Sequence, residues 1–258
     1  MFKKISFAFL LSAAVFTSQG VVAAESPVDK EIPEHEKAWL NIDGNKSLAY
    51  YLSEATGQAY GGVILSPDIG KHPLVSTTIS SLRVALSDNH WHTLALNTSE
   101  LNPSQAEKAI AAGIKFLNEQ GVFNIAVLGE GMGATHSIHY LASRQTAVSG
   151  QGEQGPVDQI RALIMINANN AIPGESDKTL EELATLNLPI LDAFSNNDYL
   201  EQQLAEQRTK ATRKSTNRRY QQIKLPLDSS FRQANDNRIT KRIRGWLDKN
   251  IAGFTVDR

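Results

Sequence analysis

The chain has 258 residues, with 26 Lys/Arg against 27 Asp/Glu for a formal charge of −1, and it contains no cysteine. Lack of cysteine removes both a disulfide framework and a lipid-modified cysteine behind a leader, so a packed core must hold the fold, and this length suits one core. A near-neutral whole also argues against nucleic acid as a partner.

Lys3 and Lys4 precede an apolar run over 5–16, and Val22-Ala23-Ala24 stands before Glu25. Cations, a short apolar segment and small residues at −3 and −1 describe a secretory signal peptide over 1–24, cleaved near Ala24. The run is too short to span a bilayer, and no second membrane candidate follows. A soluble periplasmic or secreted product is expected.

Residues 25–45 are polar, carry Pro27 and Pro33, and read as a mobile lead-in with a short helix over 34–40. The domain is expected over 46–258. Strands are predicted at 48–52 and 62–65, the second ended by Pro67. A helix over 75–86 carries Ile79, Leu82, Val84 and Leu86, and a strand follows at 91–96. The helix over 103–120 places Pro103 in its first turn and Ala106, Ile110, Ile114 and Leu117 at helical spacing. An apolar strand at 122–128 leads through LGEGMGATHS to a helix over 134–147 and a Gly/Gln-rich loop over 149–156. Then come a strand at 162–166, a helix at 179–186, a strand at 189–194, a polar helix at 200–213 and a last strand at 220–225. An amphipathic helix over 231–251 with Ile239, Ile243, Trp246 and Leu247 closes the chain. Trp91 and Trp246 read as core or interface anchors. Strands apolar throughout, alternating with helices, predict an α/β fold: one doubly wound, mainly parallel sheet with helices on both faces.

Charge is uneven. Residues 25–198 hold 10 Lys/Arg against 21 Asp/Glu, whereas 199–258 hold 14 against 6. Arg208, Lys210, Arg213, Lys214, Arg218 and Arg219 form either a solvated helix face attracted to the acidic body or a patch for an anionic envelope polymer.

The glycine turn has three explanations. A dinucleotide fingerprint is compatible with Ala134 in its third place, but the turn does not open the domain and no acidic residue ends a strand about 20 residues later. A P-loop needs Gly-Lys-Ser/Thr, which is absent. The third is the nucleophile elbow G-x-S-x-G between a central strand and its helix. Gly131 stands at its apex where serine would carry the reaction, and glycine accepts that bend without a Cβ. In the hydrolase order the acid follows a late strand, where Asp198 is the candidate, and the histidine follows the last strand. All six histidines, 35, 72, 90, 92, 136 and 139, come earlier. Without that imidazole no base is in place to activate a hydroxyl.

GVILSPDIGKHP, NIAVLGEGMGA, ALIMINA, LPILDAF and RIRGWL together resemble an exported proteobacterial α/β-hydrolase-like family of unknown function. The resemblance covers most of residues 48–248. It implies the α/β-hydrolase fold and an envelope location, but no reaction.

Ligands of open α/β sheets sit beyond the carboxyl ends of the strands. Asp68, His72, Glu130 and Asp198 fall there, and with Gly129, Gly131, Met132 and Gly133 they are the candidate pocket residues. Asp198 and Glu130 are the candidate catalytic carboxylates. The alternative is that Asp68 and Asp198 cap turns or helices and Glu130 faces solvent. Thr135 and Ser137 lie past the apex with no histidine evidently placed to activate them. His136 with His139, and His90 with His92, have pair spacing for zinc but no evident third ligand. No cofactor or metal is expected. The functional expectation is a non-catalytic binding or scaffold protein of the envelope, for an acyl, peptide or glycan ligand or another envelope protein. The competing expectation is an unusual esterase-type hydrolase built on carboxylates and histidine.

Overall fold

A computed structural model describes residues 26–98, 100–151, 160–174, 178–195, 198–213, 219–225 and 238–253. The expected leader over 1–24, most of the loop over 149–156, Lys214, Arg218 and the start of the last expected helix lie outside the described residues. The strands are β1 (Lys37–Ile42), β2 (Asn45–Leu52), β3 (Gly61–Ser66), β4 (Trp91–Leu96), β5 (Ile125–Glu130), β6 (Ile160–Ile166), β7 (Ile190–Ser195) and β8 (Tyr220–Leu225). They form one sheet in the order β1-β2-β4-β3-β5-β6-β7-β8. β2 runs antiparallel to both of its neighbours, and the pairs from β4 to β8 are parallel. The helices are α1 (Thr77–Ser87), α2 (Pro103–Glu119), α3 (Met132–Gln151), α4 (Thr179–Thr185), α5 (Tyr199–Arg213) and α6 (Arg238–Ile251). The mainly parallel α/β sheet expected from the sequence is present.

The sheet divides two cores. On one face Ile110, Ile114 and Leu117 of α2 and Ile138 and Leu141 of α3 pack on Ile64, Leu94 and Val127. On the other, Ile79, Leu82 and Leu86 of α1 and Ile239, Ile243 and Leu247 of α6 pack on Val63, Leu65 and Leu128. Every residue of β3 and β5 is buried, which explains their unbroken apolar runs. Each such Leu or Ile contributes roughly 1.5–3 kcal/mol. α2 starts where it does because the Asn102 side chain accepts the Gln105 N–H, Gln105 reaches back to the Asn102 N–H, and Pro103 fills the first position.

Of the helix expected over 34–40 only a 3-10 turn at Glu34–Glu36 forms; Lys37–Ile42 is an edge strand. Ala38, Leu40 and Ile42 are buried while Trp39 and Asn41 are exposed, a period of two. Asp43 and Gly44, at φ of 53° and 82°, make the two-residue turn that pairs this strand with β2. The strand expected at 122–128 begins instead at Ile125. Gly121 at φ 79° ends α2, and the Val122 N–H returns to the Leu117 carbonyl.

Candidate functional site

β3 leads through α1 to β4 on one side, while β5 lies on the other, so the carboxyl ends of β3 and β5 border a topological switch point. At the end of β5 the chain turns at Gly131, φ +54°, and enters α3 at Met132. A Cβ on Gly129 would lie 2.3 Å from the Ala134 nitrogen, and one on Gly133 would lie 2.4 Å from the Ser66 carbonyl oxygen. These two glycines let the strand, the helix and the end of β3 meet backbone to backbone.

The space above the apex is already filled. A Cβ on Gly131 would lie 2.2 Å from Oδ1 of Asp68. That oxygen accepts the N–H of Met132 at 2.9 Å and the N–H of Ile69 at 2.9 Å. The first turn of α3 therefore presents its positive end to an internal carboxylate. Lys71 Nζ stands 3.6 Å from Asp68 Oδ2 and 3.3 Å from Glu130 Oε1. Burial alone would lower the Lys71 pKa, but the Glu130 and Asp68 carboxylates outweigh it and raise it. Glu130 does not face solvent: it is buried, and its carboxylate also accepts Ser76 Oγ at 2.8 Å and Thr78 Oγ1 at 3.2 Å. Ser76 in turn caps α1 by accepting the Ile79 N–H. Asp68, Lys71 and Glu130 thus form one hydrogen-bonded, charge-paired set around Gly131.

Other candidates go elsewhere. His72 Nε2 lies 2.9 Å from the Tyr50 hydroxyl and 3.1 Å from Asp29 Oδ1, and Tyr50 donates to the same Asp29 oxygen. This cluster ties the loop bearing Asp68 to the start of the described chain. Asp198 is exposed and caps α5, its Oδ1 accepting the Leu200 N–H at 2.8 Å. The buried acid of this region is Asp192, inside β7. Arg208 grips it with two bonds, Nε to Oδ2 at 2.9 Å and Nη2 to Oδ1 at 3.0 Å. Arg208 is fully buried, so it drops out of the basic surface patch; Lys210 and Arg213 remain exposed. Glu201, half-buried on α5, has its pKa raised chiefly by burial; Arg208 opposes this, and the charges of Asp198, Asp192 and Asp68 add to it. Sequence reasoning missed Lys71, Asp192 and Glu201. Only the polar Asp192 inside an apolar strand left a signal.

Thr135 and Ser137 are buried and donate to the carbonyls of Asn169 and Gly133, both at 2.7 Å. His139 pairs with Glu182 and Thr179, at 2.7 and 3.1 Å. His136 is buried beside it, with Nδ1 unpartnered and its pKa lowered to about 4, mainly by burial and further by His139. His90 bonds Thr56 and Gln58, while His92 stacks on Tyr51. Among the described residues, no group of three or more His, Asp or Glu is placed to hold a metal, and no helix is long and apolar enough to cross a membrane.

The family described as "Protein of unknown function (DUF3530)" matches over residues 18–106 and 97–249. No curated protein matches the sequence. Solved structures similar in fold include a Pyrococcus furiosus esterase, with TM-score 0.67 and 13% identity over 90% of this chain and 98% of that one. A dienelactone hydrolase from Anabaena variabilis has TM-score 0.64 and 11% identity over 83% and 97%. The esterase domain of a Rhodothermus marinus protein has 0.62 and 13% over 84% and 99%. At these identities the likeness establishes an α/β-hydrolase fold and nothing of the reaction.

Proposed function

The chain belongs to the DUF3530 family of proteins of unknown function, and from that premise we propose that it is a hydrolase-fold protein that binds or scaffolds without cleaving. The observation that carries this is the Asp68 carboxylate seated over Gly131. In the hydrolase elbow, an oxyanion is held by the N–H of the residue after the nucleophile and by an N–H from the loop after the third strand. Here the N–H groups of Met132 and Ile69 donate to Asp68 instead. An internal anion occupies the place where negative charge would develop, and a side chain at the apex would collide with it. Gly131 supplies no nucleophile, and no histidine follows His139 to serve as base.

With its leader read as a secretory signal, the protein acts in the periplasm or outside the cell. Its partner is an acyl, peptide or glycan ligand or another envelope protein. An anionic polymer at Lys210, Arg213, Lys214, Arg218 and Arg219 is a further candidate. The test is hydrolysis of short-chain p-nitrophenyl esters by residues 25–258, beside Glu130→Gln and Asp198→Ala. The expected result is no turnover above buffer in all three. Turnover that copurifies with the protein and collapses in either variant would instead establish the esterase built on carboxylates.

A further inference from the structure

Away from the elbow, a groove of about 620 Å³ lies between the last strand β8 and helix α6. Its lining contains Ile223 with the buried Leu191 and Trp246 as apolar groups, Lys224, Arg242 and Lys249 as cations and, among the described residues, no carboxylate. Arg242 Nη1 donates to the Lys224 carbonyl at 3.1 Å, which holds the guanidinium at the end of β8. The guanidinium thus faces a neutral carbonyl, and among the described residues neither lysine ammonium pairs with a carboxylate.

Gly245 is the second observation. It lies inside α6, where glycine costs roughly 0.8–1 kcal/mol against alanine. Among the described residues, nothing lies within 4 Å of a Cβ placed on it. Packing against the described residues therefore gives no reason for a glycine there, yet its missing side chain keeps the groove open. The volume falls in the ordinary range for small-molecule sites, roughly 300–1,000 Å³.

We propose that this groove binds a single-chain anionic amphiphile of the fatty-acid type. Its carboxylate lies between Arg242 and Lys224, and its chain runs over Ile223, Leu191 and Trp246 past the open backbone of Gly245. Cations at the rim select the charged head, since a charge-assisted bond is about twice as strong as a neutral one. The apolar floor selects the tail. The site shares no residue with the crevice at Gly131, so its test stands apart from the absence of turnover.

The probe is 9,10-dibromostearate, whose bromines quench tryptophan fluorescence on contact, titrated into residues 25–258. Saturable quenching is expected, and Trp246→Phe removes it. Gly245→Leu, which favours the helix while filling the groove, abolishes binding with unchanged circular dichroism. Arg242→Gln with Lys224→Gln weakens binding about tenfold, as does replacing the acid by its methyl ester. Quenching that fails to saturate, that survives Gly245→Leu, or that is equal for acid and ester would overturn the proposal. So would displacement of the bromolipid by hexaglutamate at equal concentration, which would make the groove an acidic-peptide site.

Discussion

Two carboxylate–cation clusters differ in how far water reaches them. Around Gly131, the Lys71 side chain is 48% exposed and Asp68 is 26% exposed. Under α5, Asp192 and Arg208 are both at 0%. The inner cluster is fully satisfied: Arg208 also donates to the Ala168 carbonyl at 2.5 Å and to Asn170 at 3.1 Å, while Asp192 also accepts from Tyr220 and Gln222. Burial, then the Asp192 charge, pushes the Tyr220 pKa up, so that hydroxyl stays a donor. Similar charges thus do different work. Where water screens them, ion pairs contribute little to stability and chiefly position a loop; where it is absent, each partner makes the other tolerable.

The largest break in this contrast comes from Arg208→Ala, which strands a buried carboxylate and is expected to cost about 3–5 kcal/mol in urea unfolding. A loss below about 1 kcal/mol would mean that water reaches Asp192.

A buried polar group without a partner sharpens the comparison. The pKa of His136 is lowered from 6.5 in the unfolded chain to about 4 in the fold. The unfolded chain therefore binds the extra proton first, and stability present above pH 6.5 is lost as pH falls towards 4. The loss is on the order of 3 kcal/mol. Thermal unfolding of His136→Leu between pH 7 and pH 4 should be correspondingly flatter, and equal slopes would refute the assignment.

The smallest stability effect belongs to the exposed end. Asp68→Ala should change stability by less than about 1 kcal/mol, yet it vacates two N–H groups at the head of α3. Added acetate should then raise the melting temperature of the variant and leave the parent unchanged. No response in the variant would mean that those donors are not preorganised for an anion.

The chain-order pattern of this protein was legible because β3 and β5 are apolar at nearly every position and α2 repeats its apolar residues at helical spacing, which are local signals. The bend at residues 129–133 was legible for the same reason, since its glycines recur at every second position of one short stretch. The β1–β2 hairpin was equally local but hidden, its Asp43-Gly44 turn lying in a polar stretch that resembles a lead-in. The occupant of the elbow was beyond reach of any local pattern. Asp68 and Met132 are 64 residues apart and meet only because β3 and β5 are neighbours in the sheet. Arg208 shows the same limit: the inner face of α5 is Ala205, Arg208 and Thr212, with no apolar stripe to say which side is buried. Periodicity along a chain fixes which elements form. Which charge faces which is decided by strand order, because a carboxylate and its cation attract according to distance in space rather than separation in sequence.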